Sequence, residues 1–331
     1  MVRLSPQALA SRPLIVLVGP TAVGKSEIAV SLARALDTEV LTADSRQVYR
    51  SMDIATDKPL PRQQQGIPHR LIDLVNPDEP FNAGDYRRWA LREIERLYRD
   101  GRIPLIVGGT GLYIRALVRG LCEAPPSDQA YRASLVLEAK TRGHRFLYDE
   151  LMAVDPDLAS RLHPHDEAKI VRALEVHHLS GRRLSEVQQG HQFSGEAFTT
   201  LMIGLIRDRA LLYRRIDERV DTMFARGLVE ETSRLLAKGY GRELGAMKGL
   251  GYRQVAGYLA GEYGREEAVR LLKRDTRHFA KRQMTWFRKE PGLRWWPLEP
   301  EEPVEAVAGR LLETIEAFLG ELERPQPAAA S

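Results

Sequence analysis

The 331-residue chain has one cysteine, Cys122, and no apolar run near the ~20 residues that cross a bilayer. A lone thiol excludes an intramolecular disulfide and a cysteine-based zinc centre. The apolar stretch 14–18 is too short for a signal-peptide core and runs straight into a glycine loop. No membrane association is expected, and a cytoplasmic location is the default expectation. Net charge is also small: 49 Lys and Arg against 45 Asp and Glu give +4, which does not by itself indicate nucleic acid. No internal repeat is visible. What the chain does have is 43% hydrophobic residues, ordinary for a globular protein, and a length that suits about two domains or one core with a large insertion.

The basic excess is local. Residues 265–290 hold nine Lys or Arg against four Asp or Glu, with Phe279, Trp286 and Phe287 among the charges. Charge alone leaves a solvated helix face and a nucleic-acid surface as even alternatives.

Residues 1–12 read as a frayed start. Residues 14–18 read as a buried strand with a glycine stop, and 27–36 as a helix with Ile28, Leu32 and Leu36 on one face. A second short strand over 39–43 ends at Asp44. A helix over 81–99 is closed by Asp100 and Gly101, and a third buried strand over 103–107 ends at Gly108 and Gly109. This alternation implies a parallel α/β sheet with right-handed crossovers. Pro125 and Pro126 open a more polar, helical stretch that lasts to about residue 195, after which 201–206 returns as a buried strand. Helical patterns follow over 208–238 and 266–288, and the proline- and alanine-rich tail 325–331 reads as disordered.

Gly19, Pro20, Thr21, Ala22, Val23, Gly24, Lys25 and Ser26 match G-x-x-x-x-G-K-[ST] at every fixed position, between a strand and a helix. Backbone N–H groups can wrap a phosphate there, Lys25 adds a charge, Ser26 offers a hydroxyl to Mg²⁺, and the helix N-terminus faces the anion. The expected fold class is therefore α/β, with a P-loop NTPase-like parallel core and helices on both faces. Residues 1–124 and 198–331 form the core and 125–197 an inserted all-helical domain. The loop alone does not choose among kinases, hydrolases and other transferases. Asp44, at the C-terminal end of the second strand, shares the loop's edge of the sheet. It could bind Mg²⁺, serve as a general base, or merely cap a turn. Ser45, Arg46 and Gln47 beside it place donors and acceptors together, which suits reading the edge of a base.

The motifs GPTAVGKS, ADSRQVYRSMDIATDKP, VGGTGLYIRAL, VRALEV, GLGYRQ and KRQMTWFRK run in order from residue 14 to about 290. They resemble the tRNA dimethylallyltransferase (tRNA isopentenyltransferase) family, and DSRQVY with GGTGLY is far more specific than the phosphate loop. The resemblance implies transfer of a dimethylallyl group from dimethylallyl diphosphate to N6 of the adenosine 3′ of the tRNA anticodon. It gives Asp44 the role of general base, Thr21 a place near the bridging oxygen of the donor, and Arg219, with Arg215 one turn earlier, a place facing the diphosphate. It implies tRNA contacts at Asp44, Ser45, Arg46, Gln47, Thr110 and Arg132. Further tRNA contacts are implied at Ala168, Lys169, Ile170, Val171 and Arg172, and at Gly249, Leu250, Gly251, Tyr252, Arg253 and Gln254. Lys281, Arg282 and Arg288 become phosphate-contact candidates, and the helical insertion would grip the anticodon stem-loop. The expected partners are tRNA and dimethylallyl diphosphate, the cofactor Mg²⁺ at Ser26, and the state a monomer.

The sequence departs from the family's commoner DIGTAK, which reads DIATDK at 53–58, with Ala55 for Gly and an added Asp57. The expectation is an altered turn that touches none of the catalytic candidates. The C-terminal zinc finger of eukaryotic members is absent. His163, His165, His177, His178 and His191 are scattered through the insertion, and surface or RNA-facing roles are favoured over a metal site. The rival functions are a small-metabolite P-loop kinase, a prenyltransferase of free adenine nucleotides, and a non-catalytic RNA-binding protein switched by nucleotide.

Overall fold

A computed structural model describes residues 4–121, 124–190 and 198–324. Cys122, His191 and the tail 325–331 lie outside the described residues. The described chain up to Val118 and from Phe198 onward forms one compact unit, and the residues from Arg119 to Gly190 form another.

The start of the chain is a short helix, α1 (Pro6–Ala10), rather than a frayed end. Ser5 caps it by accepting from the Ala8 N–H, and the Leu4 N–H donates to Gly101 O at 3.0 Å. Strand β1 (Pro13–Val18) is buried at all six positions and leads through the glycine loop into α2 (Lys25–Ala35). Strand β2 (Val40–Ala43), helix α3 (Pro61–Gln64), strand β3 (His69–Arg70), helix α4 (Ala83–Arg99), strand β4 (Leu105–Gly108) and helix α5 (Gly111–Arg119) follow. Asn82 caps α4 by accepting from the N–H groups of Gly84 and Asp85. After the other unit the chain returns as β5 (Thr199–Ile206) and closes with β6 (Leu293–Pro297).

All pairings are parallel, in the order β3-β2-β4-β1-β5-β6. The interior strands are apolar runs covered on both faces, which is why their composition announces them. The edge strands β3 and β6 escape sequence reading for the converse reason. They are only partly buried, and β3 reads His-Arg while β6 ends in proline. Because β4 lies between β1 and β2, the loops after β1 and β2 open on either side of Gly108 and Gly109.

The single helix read over 208–238 is two, α11 (Arg209–Ala225) and α12 (Leu228–Ala237). Gly227 breaks it with φ 93°, a left-handed value that glycine adopts without Cβ strain. The buried row Leu212, Ile216, Val220 and Phe224 runs on into Leu228, so the apolar period alone hides the break. In the order of the full chain, five helices of the other unit precede these: α6 (Gln129–Arg142), α7 (His144–Val154), α8 (Pro156–Ala159), α9 (Glu167–Ser180) and α10 (Leu184–Gly190). Numbering then continues through α13 (Tyr252–Leu259), α14 (Arg265–Phe287) and α15 (Val304–Leu322), which packs on α2.

The helical unit has its own core around Leu135, Leu147, Leu151, Ile170 and Leu174. Within that core Glu175 is fully buried. Arg132 donates to it through Nε at 2.7 Å and Nη2 at 2.8 Å, the Asp128 N–H donates at 2.7 Å, and Arg172 also pairs with it. Burial would raise the carboxyl, but the two guanidiniums and the N–H outweigh it and hold Glu175 at about 2.

Candidate active site

The phosphate loop is held open by its surroundings. Gly24 has φ 114°, a value that an L side chain would strain. Arg215 Nε donates to Ala22 O at 2.9 Å and Arg207 Nε donates to Val23 O at 3.3 Å. Those two carbonyls are engaged by arginines, and the loop N–H groups that carry no partner within the chain can serve an anion. Arg207 has no sequence motif to mark it. Burial and the nearby Arg215 lower its pKa. Arg215, expected at the diphosphate, lines the loop's cavity and holds the loop through this bond.

Lys25 Nζ donates to Gly19 O at 3.0 Å and Pro20 O at 2.9 Å. Burial first, and then Arg219, lower its pKa from 10.5 to about 8, against the opposing pull of Asp44 and Asp57. Ser26 is exposed in the first turn of α2 and lines the same cavity as Asp44. Among the described residues no group of three or more His, Cys, Asp or Glu could hold a metal. Mg²⁺ commonly binds through substrate phosphates and water with only one or two protein oxygens, so the donor set at Ser26 fits that ion.

Asp44 lies at the end of β2, and its Oδ1 accepts from the Arg46 N–H at 2.8 Å and the Gln47 N–H at 3.4 Å. No described residue donates to Oδ2, and Asp44 lines the cavity. Thr110 fixes the neighbouring turn. Its N–H donates to Ala43 O at 3.1 Å, and its Oγ1 accepts from the Ser45 N–H at 3.0 Å. Arg46 Nη1 reaches Gly245 O at 2.8 Å, and Gln47 Nε2 reaches Thr56 O at 3.0 Å. Arg46 and Gln47 are thereby tied into the cavity wall. Burial pushes the Tyr113 phenol up, with Tyr49 and Asp44 adding to the effect.

Sequence reasoning missed Gln283. This buried side chain of α14 accepts from the Thr21 N–H at 2.8 Å and donates Nε2 to Gly109 O at 3.0 Å. It ties the phosphate loop to the end of β4. The glycines of GGTG are the seat for α14: a Cβ on Gly109 would lie 2.3 Å from Gln283 Nε2, and one on Gly111 would lie 2.1 Å from Trp286 Nε1. A motif pairing of GGTG with RQMTW was the available signal, since Gly109 and Gly111 each answer one large side chain of the helix.

Arg219 Nη1 donates to Thr21 Oγ1 at 2.9 Å, so two of the three catalytic candidates touch. Its buried Nε has no hydrogen-bond partner. The departure at 53–58 does reach the site, contrary to expectation. Asp57 lies 3.3 Å from Arg219 Nη2 and 3.9 Å from Arg226 Nη1. Its segment is anchored by Lys58, which is buried and pairs with Asp53 at 2.8 Å and Asp73. Ala55 packs on Gly251, where a Cβ would lie 2.5 Å from the Ala55 methyl.

A cavity of about 1230 Å³ joins the loop, Asp44, Thr110, Arg219, Arg253 and Arg282. Lys281, Arg282 and Arg288 are exposed, as phosphate contacts require. Of the 249–254 group, Arg253 is exposed and Leu250 partly so. Gly249, Gly251, Tyr252 and Gln254 are buried. Tyr252 donates to Glu231 at 2.7 Å and Gln254 donates to Asp275 at 2.8 Å, so these side chains brace α13. In the helical unit Ala168 and Lys169 are exposed, whereas Ile170 and Val171 are buried in its core and present no contact surface. Arg132 and Arg172 are engaged with Glu175, which makes them structural clamps first.

The chain's similarities agree with this arrangement. A family model described as IPP transferase matches residues 47–290. A tRNA dimethylallyltransferase of Syntrophobacter fumaroxidans is 51% identical over 284 residues, which cover 86% of this chain and 83% of that protein. Its counterpart from Geobacter sulfurreducens is 50% identical over 87% of this chain and 93% of its own length. Among solved structures, the full-length tRNA isopentenylpyrophosphate transferase of Bacillus halodurans is 35% identical with TM-score 0.68, covering 94% of this chain and 99% of that one. A eukaryotic dimethylallyltransferase acting on tRNA is 27% identical with TM-score 0.82, covering 96% of this chain and 82% of that one.

Proposed function

The chain belongs to the IPP transferase family, and from that premise we propose how its site carries out dimethylallyl transfer to tRNA. The donor is dimethylallyl diphosphate, seated with its phosphates on the loop amides and Lys25. The acceptor is N6 of the adenosine next to the anticodon on its 3′ side. An exocyclic amine donates its lone pair into the ring and is a poor nucleophile. The C1–O bond of the donor breaks as the N6–C1 bond forms, and the N6 proton passes to Asp44 Oδ2. Diphosphate leaves onto the loop, where Lys25 and the Arg219 guanidinium meet its charge. Ser26 would hold Mg²⁺, which would supply charge neutralisation for the leaving diphosphate.

The observation that carries this reading is the pairing of a fixed Asp44 carboxylate with a phosphate loop across one cavity. The adenosine must leave its stack to enter, and the exposed basic face of α14 supplies phosphate contacts for the RNA. The helical unit contributes through exposed residues such as Lys169. We place the enzyme in the cytoplasm as a monomer; no helix among the described residues is long and apolar enough to cross a membrane.

The test is incubation with dimethylallyl diphosphate, Mg²⁺ and unmodified tRNA, read by mass spectrometry for a five-carbon gain on adenosine. Product on free AMP but not on tRNA would overturn the acceptor. Asp44→Ala should lower kcat by about 10²–10⁴-fold, the usual worth of a general base, and leave diphosphate affinity nearly unchanged. Collapse of diphosphate binding in that variant would move Asp44 to the anion site.

A further inference from the structure

Asp57 stands where the family's commoner pattern has alanine, and it meets two arginines, of which Arg219 touches the phosphate loop. Its carboxylate lies 3.3 Å from Arg219 and 3.9 Å from Arg226. Arg219 in turn donates to Thr21 inside the loop. Asp57 also raises the basicity of Lys25, so its charge is felt at both cations of the anion site. The backbone holds it there. Asp57 adopts φ 54°, a left-handed value that Asp and Asn tolerate better than most residues. Its N–H donates to Ile54 O at 3.1 Å, and its carbonyl accepts from Gln47 Nε2 at 3.2 Å. A carboxylate fixed beside the guanidinium that is to receive a diphosphate competes with that diphosphate for the same N–H groups.

We propose that Asp57 is a built-in counter-charge of the diphosphate site, a positioning residue that holds Arg219 at the loop and weakens retention of the diphosphate product. The proposal rests on the reading of the loop as a diphosphate site. Two consequences follow from the charge. In the free protein Asp57 keeps Arg219 extended toward Thr21, so the guanidinium is in place before the donor arrives. In the product complex it repels the released anion, which carries more charge than the esterified donor. Asp57 thus discriminates between donor and product by charge alone.

The variants are Asp57→Asn, which keeps size and the left-handed backbone and removes the charge, and Asp57→Ala, which restores the commoner residue. Binding of inorganic diphosphate with Mg²⁺ is measured by calorimetry at a single pH below the Lys25 transition, the same for all forms. Steady-state turnover of tRNA is followed with and without added diphosphate. A unit charge removed a few ångströms from the site should tighten diphosphate about three- to tenfold at a water-like dielectric, the fitting one for a carboxylate that is one-third exposed, and both variants should show it. Product inhibition should deepen by the same factor, while donor KM falls by less. Unchanged or weaker diphosphate binding in Asp57→Asn overturns the proposal, because a structural role alone would not tighten an anion. Absence of diphosphate binding in the unsubstituted protein would instead overturn the reading of the loop. Thermal melting of each variant separates loss of fold from loss of charge.

Discussion

Lys25 gives the site a pH signature of its own. Burial and Arg219 bring it down to about 8. The ammonium is therefore present below that value and lost as pH rises through it. Diphosphate affinity should be level up to about pH 7.5 and then fall by as much as tenfold per unit, because only the charged form binds the anion. Calorimetry between pH 7 and 9 checks this, and a flat profile would mean that Lys25 takes no part. Lys25 and Asp44 were legible in the sequence because each sits in a contiguous motif at the end of a buried strand. Gln283 was not, since its partners Thr21 and Gly109 are 262 and 174 positions away. Asp57 was visible as a departure from pattern, but the helix that brings Arg219 and Arg226 to it begins more than 150 residues later in the chain.

At the scale of elements, α14 is keyed to the sheet through glycine. Gly109→Ala would drive a methyl to 2.3 Å from Gln283 Nε2, and overpacking of that kind costs about 1–3 kcal/mol. The expected outcome is a lower Tm together with weaker diphosphate binding, since the Gln283 amide must leave Thr21. Near-wild-type diphosphate affinity in a destabilised Gly109→Ala would show that the amide is dispensable to the loop. The helical unit has an analogous keystone in Glu175. Glu175→Ala strands Arg132 and Arg172 around a hole, at a cost below the ~3–5 kcal/mol of a fully buried pair because both arginines are about one-third exposed. Hydrogen exchange should accelerate through α6 and α9 while the sheet stays protected. The pH linkage follows from a depressed carboxyl: its stabilisation is complete above the ordinary value of 4.5 and is lost as pH falls towards about 2. The interior strands and long helices of both units were readable from apolar periodicity. The edge strands and the Gly227 break were not, because neither changes the pattern of burial on which that reading depends.

Across the whole molecule, the low net charge conceals a basic α14 that carries the RNA-facing candidates. Lys281→Ala, Arg282→Ala and Arg288→Ala should each weaken tRNA binding and reduce the salt dependence of its affinity by about one counterion. Filter binding between 50 and 200 mM salt measures this, and an unchanged slope in all three would return α14 to a solvated surface. The fold class followed from the alternation of strands and helices, but sheet order did not, and the order has a consequence for what this enzyme can be made to do. With β4 between β1 and β2, the strands that lead into the phosphate loop and into Asp44 lie two strand spacings apart, about 9–10 Å. That interval is a fixed gauge laid down by backbone hydrogen bonds, and no side-chain substitution alters it. Selection or engineering for bulkier alkyl donors can widen the cavity wall, but on the mechanism proposed above the span across which leaving group, migrating carbon and amine line up is inherited from the sheet.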